Sequence, residues 1–183
     1  MACLKKLGSD ITYDCANLGL LGGIGEIDEA IIVNSSDISS VSADSGNHNA
    51  GTIVMQTGKK GYVINSVNNS VMYQEAIKVN DTTPAAEDQS VILKVIRSID
   101  DATGYREIIQ QLLGGNYRVA LKSKTNLYFL AGAFCGLEAS DLATDSSNGG
   151  ISTVTLKTPE GATGDMLLVI PKGMYDGLKI PKV

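Results

Sequence analysis

The stretch NYRVALKSKTNLYFLAGAFCGLEAS, residues 116–140, constrains the fold of this chain more than any other. Its first arm alternates: Tyr117, Val119 and Leu121 point one way and Arg118, Ala120 and Lys122 the other, the period of two expected of a half-buried strand. Ser123, Lys124, Thr125 and Asn126 make a turn, and the arm that follows is apolar at nearly every position. A strand without a wet face is stable only where both of its sides are covered. The expectation is that a neighbouring copy of the chain, or a helix, lies over the second arm.

The remaining segments read mostly as strands. Glycine is abundant at 20, there is no Trp and there are two Phe, and Ser, Thr, Asn and Asp crowd the gaps between apolar runs, a mix that suits a sheet protein with many turns. GGIGEIDEAIIVN, residues 22–34, reads as a strand with Ile27, Glu29 and Ile31 on one face and Glu26, Asp28 and Ala30 on the other. Residues 35–51 read as a long polar loop, and TIVMQ and GYVINSV, joined by TGKKG, as a hairpin. SVMYQEAIKVN at 70–80 carries Val71, Tyr73, Glu75, Ile77 and Val79 at even spacing, Pro84 breaks the chain, and QSVILKVIRSI at 89–99 is a core strand by its branched residues.

One amphipathic helix is expected over 101–113, with Tyr105, Ile108, Ile109, Leu112 and Leu113 on a single core stripe. Asp100, Asp101 or Thr103 caps its start and Gly114-Gly115 closes its end. Residues 138–150 form a second polar loop, ISTVTLK at 151–157 alternates, and DMLLVI is a last strand. The tail PKGMYDGLKIPKV, bracketed by Pro171 and Pro181, is expected to be extended. About eight strands and one helix give a mainly β (α+β) class, a β-sandwich or squat β-barrel with one flanking helix and long loops. The organisation is an N-terminal arm at 1–22, a domain at 23–170 and a C-terminal extension at 171–183.

Chemistry is hard to find. The net charge is −5, and neither Lys59-Lys60 nor the group around Lys122 and Lys124 is dense enough to clamp a phosphate backbone, although an acidic conduit would let DNA pass by repulsion. Cysteines at 3, 15 and 135 are odd in number and scattered, which argues for reduced thiols and against a disulfide framework. The opening MACLKKLGSDITYD has no apolar stretch of a signal peptide, and no run has the length of a membrane span.

GLLGGIGE has the wrong spacing for a dinucleotide or phosphate loop and reads as a flexible turn. His48, the only histidine, reads as a solvated loop residue, and no second histidine offers a zinc site. Cys135 is weighed as a nucleophile but reads better as a small buried hydrophobe. Glu26, Asp28 and Glu29 form an acidic knot that could serve glycoside hydrolysis or calcium, yet no aromatic platform accompanies it, so a charged sheet face is preferred. No catalytic constellation emerges, and the expectation is a protein that is not an enzyme and needs no cofactor or metal.

The segment YRVALKSKTNLYFLAGAFCGLEAS, then a Ser/Asp/Gly loop, then ISTVTLKTPEGATGDMLLV, resembles structural proteins encoded by phages and prophages of gut bacteria, most of all the tail tube subunit group. CANLGLLGGIGEIDEAIIVNSSDI, residues 15–38, is similar to their opening, while the SKTN turn and the long tail PKGMYDGLKIPKV depart from their pattern. The resemblance implies a sandwich or barrel with one helix, assembled into stacked hexameric rings that form a DNA-ejection conduit. It implies that the partners are other copies of the chain and other virion tail or neck proteins. DNA would cross the lumen without specific binding, no membrane would be involved, and the protein would reside in the virion after assembly in the host bacterial cytoplasm.

In such a ring sheet edges become joints, contacts run head to tail, and the arms 1–21 and 171–183 tie one ring to the next. Glu26 and Asp28 are the candidate lumen-facing acids, repelling DNA over a Debye length of roughly 10 Å. Loops 35–51 and 138–150 are expected to order on docking. The alternatives are a neck, tail-terminator or head-decoration protein, the tube subunit of a contractile injection or secretion apparatus, and an enzyme or small-ligand binder.

Overall fold

The computed structural model describes residues 26–44, 50–65, 70–78, 86–95, 102–145, 151–162 and 167–180. Among these the chain forms β1 Ile27–Asn34, a single 3-10 turn at Ser35–Asp37, β2 Ile38–Ala43, β3 Gly51–Met55, β4 Tyr62–Asn65, β5 Val71–Lys78 and β6 Ala86–Val95. Helix α1 Ala102–Gly114 follows, then β7 Asn116–Ser123, β8 Tyr128–Ala131, β9 Leu137–Asp145, β10 Ile151–Lys157, β11 Leu168–Val169 and helix α2 Lys172–Gly177. The fold is mainly β with two short helices, a sandwich-like α+β arrangement built on one large antiparallel sheet. The order is β11-β8-β7-β9-β10-β6-β5, with β1 on the other side of β7 and β4 beyond β1, while β2 and β3 form a separate two-stranded sheet.

Two cores share one wall. Ala30 and Ile32 of β1, Val119 and Leu121 of β7 and Phe129 of β8 face the first core, which Val91, Leu93, Leu137, Val154 and Leu156 fill and α1 closes with Ile109 and Leu112. Ile31 and Val33 of β1, Ala120 of β7 and Leu130 of β8 face the second, where they meet Ile53 and Met55 of β3, Leu168, and Tyr175 and Leu178 at the C-terminal end. A strand between two cores must be apolar on both sides, and this accounts for the AIIV run of β1 as well as the uniformly apolar β8.

The cover over β8 therefore comes from the chain itself. Phe129 and Ala131 face the first core and Tyr128 and Leu130 the second, where the Tyr128 and Tyr175 rings lie 5.0 Å apart. On the second-core side no neighbouring copy is needed, and the helix that covers it is α2 and not α1. The tail that supplies this cover is not extended as expected: Lys172–Gly177 is helical. Pro171 sits at the N-cap with φ −65°, where its missing N–H costs no hydrogen bond, and Met174, Tyr175 and Leu178 form a stripe that packs into the second core. Residues 172–178 thus belong to the body and do not reach away from it.

The polar loops are also more structured than expected. Within 35–51, Ile38–Ala43 is strand β2, and within 138–150, β9 continues through Asp145. The TIVMQ/GYVINSV pair is not a hairpin, because β3 pairs with β2 and β4 with β1. The turn at Gly58, φ +76°, carries the chain from the second core to the first, and Gly61 packs so close to β1 that a Cβ would stand 2.4 Å from Ile31 Cγ2.

One device recurs. The β1–β7, β2–β3 and β9–β10 ladders each carry a bulge, and around each an apolar pair three residues apart faces one core: Ile27 with Ala30, Ile38 with Val41, Ala139 with Leu142. An extra residue shifts the side-chain parity by one, so Ile27 and Ile31 do not share a face, contrary to expectation. Of the helix stripe, Ile109 and Leu112 are buried, whereas Leu113 is 46% exposed in the last turn before Gly114. The side chains of Tyr105 and Ile108 lie outside the described residues, as do His48, Cys3, Cys15 and the glycine cluster at 19–25.

Candidate functional site

The bulge in β1 decides where the acids go. Lys122 Nζ donates to Asp28 Oδ2 at 2.6 Å, and Lys124 pairs with Glu26 through both its ammonium group and its backbone N–H. The hydrogen bond from Lys122 holds Asp28 below the ordinary carboxylate range, and the same two contacts raise Lys122 and Lys124. Glu26 and Asp28 are thus rungs of a charge-paired ladder on a solvated surface, where such pairs contribute little to stability.

Glu29 takes other partners. Its Oε1 accepts the Tyr175 hydroxyl at 3.0 Å and lies 2.5 Å from Lys179 Nζ, whose ammonium stands 5.1 Å above the Tyr175 ring. Burial first, then Glu29, pushes the Tyr175 phenol far above its ordinary value of 10.0, with Asp176 and Tyr128 adding to the effect. A phenol that holds its proton more tightly when folded contributes stability below the unfolded value and loses it as pH rises further. The expected result is a fall in stability above about pH 10. Tyr175→Phe should lose about 1–2 kcal/mol at neutral pH, through the missing hydrogen bond to a carboxylate, yet show a shallower alkaline slope in chemical denaturation. Equal slopes for the two proteins would contradict the assignment.

Beyond β8 the chain makes a tight turn at residues 132–136. Gly132 and Gly136 adopt φ +65° and +72°, and Gly136 N–H donates to Gly132 O at 3.0 Å. Arg118 donates to the carbonyls of Ala133 (2.9 Å) and Phe134 (3.1 Å), and Asn116 Nδ2 to the Cys135 carbonyl (3.3 Å) and the Glu138 carboxylate (3.1 Å). Ser35 bonds Asn116 from the other side, and the fully buried Gln89 accepts Gly132 N–H at 2.7 Å. The backbone is fixed from two strands, β7 and β6, and its tip presents Phe134, 51% exposed.

On the first-core side of β1 and β7 the cover is incomplete. A cavity of about 530 Å³ opens between β4 and the end of α1, lined by apolar Ile32, Ile64 and Leu112 with Tyr117 at its wall and Lys60 and Lys179 in its lining. Tyr117 donates to Gln111 O and so fixes the end of α1 against β7. Tyr62 and Val63 are 57% and 43% exposed, and among the described residues β4 pairs only with β1, leaving its other edge without a partner strand.

The exposed apolar surface is where sequence reading fell short. Tyr62 and Val63 stand in a run expected to form one arm of a hairpin, and Phe134 in an arm expected to be covered, yet all three are exposed. The available signal was GYVINSV itself, four of whose seven residues are apolar in a segment too short to be covered on both faces. Comparison with family models, with curated proteins and with solved structures finds no match for this chain.

Proposed function

We propose that this chain is a structural subunit of a bacteriophage virion, and within it a tail tube subunit that assembles with its own copies into stacked hexameric rings forming the DNA-ejection conduit. The observation that carries the reading is the β4 edge, a strand with one side unpaired among the described residues and with exposed apolar residues at Tyr62 and Val63. β5, at the far end of the sheet order, has a second side without a partner among the described residues and exposes Met72. Such edges invite aggregation in a solitary protein, whereas head-to-tail association closes them. The mainly β, sandwich-like fold agrees with what the resemblance of residues 15–38, 117–140 and 151–169 implies.

Glu26 and Asp28 remain the proposed lumen acids, now as members of a ladder with Lys122 and Lys124. Reversing both acids to lysine converts a neutral strip into one of four adjacent cations. Particles carrying the double variant should eject DNA more slowly, because a basic lumen retains phosphate; an unchanged rate removes these two residues from the lumen.

Negative-stain imaging of the purified protein across concentration and salt tests the proposal itself. Rings or tubes one subunit thick are the expected result. Closed shells would indicate a head component instead, and a monodisperse monomer under every condition would overturn the proposal.

A further inference from the structure

We propose that the turn at residues 132–136 of one copy plugs the cavity beside β4 of a second copy, with Phe134 as the inserted side chain. This rests on the self-assembly reading and adds to it the contact that holds neighbouring copies together.

Both halves of the contact stand on this one chain. The turn is anchored to β7 through Arg118 and Asn116, whose side chains leave the strand on the side opposite Tyr117, while Tyr117 lines the cavity. Knob and socket therefore lie on opposite faces of β7, and Phe134 is not among the residues lining the cavity of its own chain. Filling the socket takes the turn of another copy. The backbone around Phe134 is already ordered by bonds from Arg118, Asn116 and Gln89, so little conformational freedom is lost on docking. An aromatic side chain buries roughly 150–250 Å² and is a common anchor at interface centres. The apolar lining of Ile32, Ile64 and Leu112 suits it, with Tyr62 and Val63 extending the contact at the rim.

Charge points the same way. Glu138, exposed and hydrogen-bonded to the Asn116 that carries the turn, stands beside the knob. Of the two lysines lining the socket, Lys179 is already paired with Glu29, which leaves the exposed Lys60 as the cation that faces an incoming Glu138. A contact between two different patches is heterologous, and repetition of it gives a closed ring or an open stack.

Sedimentation velocity on four samples tests this: the unaltered protein, Phe134→Ala, Val63→Trp at the exposed rim, and an equimolar mixture of the two variants. The unaltered protein should assemble, and each variant alone should lose association by on the order of 30-fold or more while keeping the parent's circular dichroism. The mixture should form a one-to-one dimer and stop, because one variant retains only a socket and the other only a knob. The surface pair offers a second readout: Lys60→Glu and Glu138→Lys should each weaken assembly, and the chain carrying both should regain it. Assembly of Phe134→Ala as strong as the parent's overturns the knob-and-socket contact and leaves self-assembly standing. A parent protein that never associates overturns both.

Discussion

Replacing Tyr175 by Ala is expected to destabilise the protein by about 3–5 kcal/mol, the range for removing a large buried aromatic side chain. Tyr175 is fully buried and packs against Tyr128, and its hydroxyl is bonded to Glu29. Alanine would leave a void between α2 and the wall made by β1, β7 and β8, and would strip Glu29 of one of its partners. The second faces of Ile31, Val33 and Leu130 depend on the same small helix, so the damage falls on the cover that makes β8 tolerable as a strand without a wet face. Equilibrium denaturation in urea reads the change. A loss under 1 kcal/mol would mean that the C-terminal segment is not the lid of the second core.

Gly136→Ala is expected to cost about 2–4 kcal/mol. Residue 136 has φ +72°, and an added Cβ would stand 1.9 Å from Asn116 Oδ1, well inside contact distance. Left-handed backbone with a side chain costs roughly 1–2 kcal/mol, and displacing Asn116 adds the bonds to Ser35, Cys135 and Glu138 at about 0.5–1.5 kcal/mol each, offset by partial relaxation. Gly161→Ala separates the two contributions: its φ is +81° but nothing lies within 4 Å, so only the backbone cost should appear. If both variants lose the same amount, the Asn116 bracket carries no energy. If Gly136→Ala alone also loses association in sedimentation, the ordered turn is tied to assembly as well as to folding.

Much of the scaffold is legible from residue patterns because burial there follows an unbroken period. Tyr117, Val119 and Leu121 face the first core as their alternation requires, and Ile109 and Leu112 do so from α1. Where the period breaks, reading fails for a definite reason. Each bulge adds a residue, so an apolar pair three apart in a polar strand, such as Ile38 and Val41 or Ala139 and Leu142, looks like loop. A search for that spacing would have found β2 and the length of β9.

Helix α2 escaped notice because KGMYDG holds two glycines in six residues and lies near two prolines, a weak helix former by local preference. Its burial of Tyr175 and Leu178 supplies what propensity does not. The both-sided burial of β8 was legible as a demand, but its supplier was not, since nothing in local spacing says which distant segment returns to meet it. The acidic knot was found as a cluster, whereas its partition, with Asp28 to Lys122 and Glu29 to Tyr175 and Lys179, depends on the bulge and on a helix nearly 150 residues away.

Among the described residues β8 is covered on both faces and the outer edge of β4 has no partner strand, and the proposed self-assembly rests on that difference. The most direct measurement is the mass of the purified protein in solution by sedimentation equilibrium over a wide concentration range. The mass is expected to climb from that of the 19.2 kDa chain toward a multiple of it as concentration rises. A value fixed at the single-chain mass across the whole range, with β4 still open to solvent, would contradict the proposed self-assembly.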